Sequence, residues 1–394
     1  MPGKKIMVYT IPNEGHFNII KRLIRRYQDR HSFAVTLVDR HNSAPILAGL
    51  TAPVRTLRGS GRYRNTPASR VFQRAGDLLG ECVRAGAEFQ PDLILYDFCA
   101  LEGRLAADVL RVPSWCSIPG LIGPQLDTRY LAASLYSPEN REAMALIRRR
   151  YGLAVVPAEV ELISNSLHLP GEQNLLWSYP AVTPGNFLHN RRPARYRFAG
   201  YLSDGYDGRS RAGRRTRVVY LSLGTEVMDN LWPAQEETRR GVRTCLAALA
   251  KLWDGSGLRV VFSTMGRRVL DRYPANWTVC DRVDQQRILS TADVFVTHGG
   301  SNSFHEALLL GVPPVVTPFF GDQVLTGRRV EELGVGIGLG TDEDIDRDKP
   351  KHFLTPELAG RIDDAVRLVL GTDRYRAAIR RLPLAAAPPL ADLD

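Results

Sequence analysis

Short apolar runs alternate with longer segments of helical period along most of the chain. The run KKIMVYTIP passes through NEGHF into a set recurring at helical spacing, Ile19, Ile20, Leu23, Ile24 and Tyr27, and then into a second apolar run, FAVTLVD. That is a β-α-β unit. PDLILYD, a helix near GRLAADVL and a strand at VPSWCSIPG extend it. Strands buried on both faces read as unbroken apolar runs, so these predict a mostly parallel sheet. The stretch SDGYDGRSRAGRRT at 203–216 is nearly free of large apolar residues and reads as a linker. Beyond it the same grammar restarts: strand RVVYLSLGT, helix TRRGVRTCLAALAKLW, strands LRVVFSTM, WTVC and DVFVTHG, helix HEALLLG and strand PPVVTPF. Helices near 355–381 and a Pro/Ala tail close the chain. The pattern predicts an α/β protein of two doubly wound, Rossmann-like domains, residues 1–203 and 217–375, joined by a linker at 204–216 and followed by a helix end and tail at 376–394. Ligands of such sheets bind beyond the carboxyl ends of the strands, so two such domains predict a cleft where they face each other.

Composition agrees with two cores, since 394 residues at 44% hydrophobic exceed one ordinary domain. No run of eighteen apolar residues appears, and the chain enters a strand pattern at once, which predicts a soluble, cytoplasmic protein without an integral membrane segment. The five cysteines, at 82, 99, 116, 245 and 280, form no CxxC pair and are odd in number, so reduced thiols are expected rather than disulfides or structural zinc. A formal charge of +10 invites a nucleic-acid reading. Against it, the arginines are scattered, and RRR at 148–150 and RAGRRTR at 211–217 resemble a helix end and a linker without interleaved aromatics. No nucleic-acid partner is expected. GxSxG, GxxxxGK[ST] and HExxH are absent. The acidic run TDEDIDRD at 341–348 lacks the spacing of a calcium loop and reads as solvated, so no metal site is expected.

The chemistry concentrates in THGGSNSFHEAL, residues 297–308. Glycines after a strand allow a tight turn and a close ligand, and a helix starting near Ser301–Ser303 presents free amides and its positive dipole end. The hydroxyls of Ser301 and Ser303 and the ring of His298 can donate to phosphate oxygens, while Glu306 can accept from vicinal hydroxyls. Diphosphate and ribose together describe a nucleotide. A competing reading is available for the same residues, since Ser303-x-x-Glu306 is also a capping box, in which both side chains satisfy the helix's own amides.

The surrounding segment 281–323 resembles the donor-binding signature of the UDP-glycosyltransferase superfamily, the family 1 glycosyltransferases of GT-B fold. The match runs in order through His298, Gly300, Asn302, Ser303 and Glu306, then GVP, then Asp322-Gln323, with Gly299 and Ser301 between them counted in the donor set. The resemblance implies that His298, Asn302 and Ser303 hold the diphosphate, Glu306 the ribose, and Asp322 with Gln323 the transferred sugar. SLGT at 222–225 looks like the family's loop where a hydroxyl, here Thr225, approaches the phosphate, which adds Ser222 and Gly224 to the donor set. Arg282, Val283 and Gln285 occupy the base-binding segment. Arg282 stands where the family has an aromatic ring and Asp284 where it has proline; Arg282 can stack on a base or simply face solvent. NEGHF places His16 where the family keeps its catalytic base, and YDF places Asp97 where it keeps the aspartate that orients it. The proline that usually follows such a histidine is missing, and His16 is expected on the connection after the first strand. An imidazole that takes the proton of an acceptor hydroxyl supplies roughly 10²- to 10⁴-fold.

By this resemblance the protein is expected to be an inverting, metal-independent glycosyltransferase that needs no cofactor. A nucleoside diphosphate sugar, UDP- or TDP-linked, is the expected co-substrate, and a small natural-product aglycone the acceptor. Two alternatives share the architecture, a nucleotide-sugar epimerase and a catalytically silent partner protein. The SLGT, HGG-x-NS-x-x-E and DQ set favours transfer, and His16 with Asp97 argues against silence.

Overall fold

The computed structural model describes residues 3–38, 47, 49–57, 68–122, 128–163, 166–184, 195–206, 216–340 and 355–385. Residues 207–215 of the expected linker and the acidic run at 341–348 lie outside them. The described residues fall into two units, one reaching Pro180 and including 195–202, the other comprising Ala181–Pro184 and Ser203–Leu384.

The strands of the first unit are β1 Lys5–Thr10, β2 Ser32–Val38, β3 Val54–Leu57, β4 Leu93–Asp97, β5 Ser114–Ile118, β6 Glu161–Ile163, β7 Ser166–His168, β8 Gln173–Leu176 and β9 Tyr196–Phe198. Seven of them form one sheet in the order β3-β2-β1-β4-β5-β8-β9, every neighbouring pair parallel, while β6 and β7 make a separate antiparallel pair. The apolar runs of β1, β4 and β5 are buried along almost their whole length, as strands covered on both faces must be. Chain order reverses between β1 and β4, whose crossover connections leave in opposite directions, so a crevice opens at the carboxyl ends of these two strands.

Helix Glu14–Tyr27 follows β1 and buries Phe17, Ile19, Ile20, Leu23, Ile24 and Tyr27. It begins earlier than the apolar spacing alone indicates because the Asn13 side chain accepts from Gly15 N–H and caps it. His16 therefore sits in the first turn of a helix, not on a free connection. The arginines at 148–150 occupy the last turn of helix Pro138–Tyr151, where cations meet the negative dipole end.

In the second unit β10 Arg217–Ser222, β11 Leu258–Ser263, β12 Trp277–Cys280, β13 Val294–Thr297, β14 Pro314–Val316 and β15 Ile337–Gly338 form a second all-parallel sheet, in the order β12-β11-β10-β13-β14-β15. Its order reverses between β10 and β13. Helices Glu236–Trp253 and Pro356–Leu370 cover one face and are joined by a buried bond from Trp253 Nε1 to Asp363 Oδ1 at 2.9 Å. The final helix, Arg374–Arg381, lies in this unit. Among the described residues no helix is long and apolar enough to cross a membrane.

Helix Leu101–Leu110 lies unusually close to the first sheet. A Cβ on Gly103 would stand 2.6 Å from Tyr9 Cβ and 2.9 Å from Tyr96 Cβ, atoms of β1 and β4. Helix propensity alone would make Gly103→Ala stabilising by about 1 kcal/mol. The packing reverses the sign, and Gly103→Ala is expected to lower the free energy of unfolding by about 1–3 kcal/mol. Urea unfolding checks this, and a midpoint at or above that of the parent protein would contradict it.

Candidate active site

Both strand-order reversals carry polar side chains. In the first unit Asp97 is the last residue of β4 and wholly buried. Its Oδ2 lies 2.8 Å from His16 Nδ1, and its Oδ1 accepts from Cys99 N–H at 2.8 Å. The His16 ring stacks on Phe98, with centroids 5.4 Å apart and planes inclined by 16°, and its side chain keeps 21% of its exposure. A buried carboxylate facing Nδ1 selects the tautomer with the proton on Nδ1, which leaves Nε2 as the basic nitrogen. The sequence thus places two residues eighty-one positions apart in hydrogen-bond contact, because β1 and β4 are neighbours in the sheet.

Among the described residues one trio, His16, Asp97 and Cys99, has metal-ligating atoms within 4.8 Å of one another. Burial, together with the Asp97 charge, pushes the Cys99 thiol well above its ordinary value, so it is the protonated, poorly ligating form at neutral pH.

In the second unit the segment after β13 turns through Gly299, at φ 88°, into helix Ser301–Leu309. The N-cap is Gly300, without a side-chain cap bond. Ser303 is the third residue of the helix and not its cap, so the capping-box reading fails. Its Oγ accepts from Gln285 Nε2 at 3.2 Å, and Glu306 accepts from Gln285 Nε2 at 2.8 Å and Gln286 Nε2 at 3.2 Å. Both glutamine amides present N–H to a buried carboxylate, which fixes the Glu306 rotamer in the second turn of the helix.

His298 is wedged between glycines. A Cβ on Gly224, at φ 71°, would come within 2.2 Å of its Cε1, and one on Gly300 within 2.6 Å of its Nε2. Burial lowers the His298 pKa to about 4, against a smaller opposing effect of its bond to the Ser222 backbone. The neutral ring thus donates to Ser222 and has no second N–H, so it can donate to a phosphate only after taking up a proton. Ser222 Oγ accepts from Gly224 N–H at 3.3 Å, and Thr225 precedes a π-helical turn, Glu226–Leu231.

Arg282 is half-exposed and pairs with Asp229 of that turn at 3.2 Å, and Arg267 reaches the other oxygen of Asp229 at the same distance. An ion pair thus orients the guanidinium that stands where the family has a ring. Val283 packs at the edge of the cluster around Tyr220 and Phe295. Asp284, at the family's proline position, caps helix Gln285–Leu289 by accepting from Arg287 N–H, an equivalent way of starting a helix. Asp322 opens helix Asp322–Glu332, while Gln323 is buried with its Oε1 accepting from Phe319 N–H at 2.8 Å. The Gln323 side chain therefore holds the preceding loop in place.

Sequence reasoning missed Gln286 and His305. Gln286 also accepts from Ser203 Oγ and Asp204 N–H, tying the start of the linker region to Glu306. His305 is buried, with Nδ1 donating to the Ser301 carbonyl at 2.8 Å and a pKa lowered by burial to about 4. No spacing marks either residue, since both roles arise only once the helices are packed.

Residues 246–389 match the family model for the erythromycin biosynthesis protein CIII-like C-terminal domain. The NDP-glycosyltransferase YjiC of Bacillus subtilis (strain 168) is 28% identical over 350 residues, covering 84% of this chain and 83% of that protein. The solved glycosyltransferase of kitacinnamycin aligns with a TM-score of 0.70 at 23% identity, over 96% of this chain and 94% of its own. Spinosyn rhamnosyltransferase SpnG complexed with thymidine diphosphate aligns at 0.66 and 22%, over 96% and 95%.

The buried imidazoles of His298 and His305 give a pH test. Their folded pKa values lie below the ordinary 6.5, so between pH 6.5 and 4 the unfolded chain binds protons that the folded chain refuses. Stability is then lost as pH falls through that window, by up to about 3 kcal/mol for each histidine. Ring NMR signals of His298 and His305 are expected to stay those of neutral imidazole from pH 7.5 to 5, and a midpoint near 6.5 for either would contradict the packing.

Proposed function

We propose that this chain, a glycosyltransferase of the UDP-glycosyltransferase superfamily with the GT-B fold, transfers a sugar with inversion and without a metal ion from a UDP- or TDP-sugar to a hydroxyl of a small natural-product-like acceptor. The observation that carries the reading is the 2.8 Å contact between His16 Nδ1 and the wholly buried Asp97. A base oriented in this way can make a neutral hydroxyl a competent nucleophile near pH 7.

In the proposed step Nε2 of His16 takes the acceptor's proton as its oxygen attacks the anomeric carbon. The bond from that carbon to the diphosphate breaks on the opposite face, so the configuration inverts. Asp97 stabilises the imidazolium that forms. The leaving diphosphate meets the open start of helix Ser301–Leu309, where amides and dipole offset its charge without a cation. Glu306, its rotamer fixed by two amides, would accept from the ribose hydroxyls, and Asp322 with Gln323 would address the sugar. The Bacillus relative's name supports a nucleoside diphosphate sugar as donor, and the SpnG complex supports thymidine as one acceptable nucleoside.

Two predictions test the halves of this reading. With UDP-glucose or TDP-glucose as donor and benzyl alcohol as acceptor, His16→Ala is expected to lose on the order of 10²-fold in kcat while calorimetric affinity for UDP and TDP stays unchanged. The loss should shrink with 4-nitrophenol, which ionises unaided, and Asp97→Asn should fall between His16→Ala and the parent. Activity should persist in EDTA, and the product's anomeric coupling should differ from the donor's. A fully active His16→Ala would place the base elsewhere. Glu306→Ala should weaken nucleotide binding by about 1.5–3 kcal/mol, the cost of a hydrogen bond to a charged group. Unchanged UDP and TDP affinity in that variant would remove Glu306 from the donor site.

A further inference from the structure

A buried ion pair that the proposed chemistry does not use stands directly behind the loop that carries Asp97. Arg74, on helix Val71–Phe89, donates from Nη2 to the Cys99 carbonyl and lies 3.2 Å from Glu102 Oε2, in the first turn of helix Leu101–Leu110. The two side chains keep only 8% and 0% of their exposure. Cys99 is the residue whose N–H bonds to Asp97 Oδ1. A continuous path therefore runs from Glu102 through Arg74 and the two peptide groups of Cys99 to Asp97, and from Asp97 to His16.

A buried ion pair is a poor choice for stability, because the cost of removing both charges from water is rarely recovered and apolar residues of the same volume serve as well or better. Geometry supplies another reason. The turn between β4 and the following helix is held locally by Cys99 N–H on Asp97 Oδ1 and by Ala100 N–H on the Asp97 carbonyl at 2.7 Å, while Ala100, the N-cap, adds no side-chain bond. Arg74 adds a hold from outside the turn, on the Cys99 carbonyl, and so further restricts rotation of the peptides whose N–H groups face Asp97.

We propose that Arg74, anchored by Glu102, is a positioning residue for the His16–Asp97 dyad: by holding the Cys99 carbonyl it fixes the Asp97 rotamer, and through it the tautomer in which His16 Nε2 is unprotonated. The proposal rests on the reading of His16 as the base. Arg74 touches no reacting atom and acts only through orientation, where a displacement of about 1 Å can cost up to 10²-fold in rate.

Arg74→Met alone would take the buried counter-charge from Glu102, so the test uses Arg74→Met/Glu102→Leu, which removes both charges, and Arg74→Lys, which keeps a charge and a donor. The double variant is expected to unfold cooperatively in urea and to bind UDP and TDP as the parent does. Its kcat with TDP-glucose and benzyl alcohol should fall roughly 10- to 100-fold. Its 15N imidazole spectrum should show His16 shifted from the Nδ1–H form to a mixture of tautomers. Arg74→Lys should recover most of both readouts. A folded double variant with the parent's kcat and His16 tautomer would overturn the proposal; if the double variant does not fold, the tautomer in Arg74→Lys against that in Arg74→Gln decides the same point. His16→Ala run in parallel separates the two failures: full activity there overturns the base itself, whereas its loss beside an unimpaired double variant overturns the clamp alone.

Discussion

Parallel strand pairing is the constraint from which the candidate site follows. In an all-parallel sheet every strand delivers its successor loop at the same edge, and the edge opens only where neighbouring crossovers depart in opposite directions. In this chain that happens between β1 and β4 and again between β10 and β13. The first reversal brings His16 and Asp97 together. The second brings the Ser222–Thr225 loop against the His298–Ser303 turn, where His298 rests on Gly224. Neither site is assembled by local sequence; each is a by-product of strand order. Side chains then refine what topology has placed, through Gln285 and Gln286 on Glu306 and through Arg74 on the Cys99 peptide.

Much of this was legible in advance. Periodicity marked the apolar strands β1, β2, β4, β5, β10, β11 and β13, because strands buried on both faces cannot hide their composition. It was weaker for β8 and β9, four and three residues long, and for helix Val71–Phe89, whose apolar face is interrupted by glycines and by the buried Arg74. The identities of His16, Asp97 and Gln285 came through resemblance, since no spacing rule connects residues 16 and 97, whereas Glu306 was already marked by the chemistry of its own motif. Resemblance was less informative about how each side chain is employed. Gln323 spends its carbonyl oxygen on Phe319, His298 its proton on Ser222, and Asp284 replaces a proline with a different cap.

Charge illustrates the same division between pattern and packing. The scattered arginines looked like solubilising surface, and several are, such as the Arg268–Asp271 pair at a well-exposed edge. Arg74 instead is buried against the turn after β4, while Arg267 and Arg282, part-exposed, share Asp229 of the π-helical turn after β10. Composition counts these side chains alike, yet burial separates them by function.

The slot around His298 has an evolutionary consequence. Gly300 has an ordinary φ of −59° and is barred from other residues only by the imbalance of space with the imidazole, so a smaller side chain at 298 would open that position. Gly224 is barred twice, by the ring and by its own φ of 71°, and the second bar remains whatever stands at 298. Position 300 is therefore conditional on position 298, able to change only once the imidazole has gone, while position 224 has no compensating partner. Drift in this loop is channelled through the histidine, and a lineage that abandons it gains freedom at 300 alone.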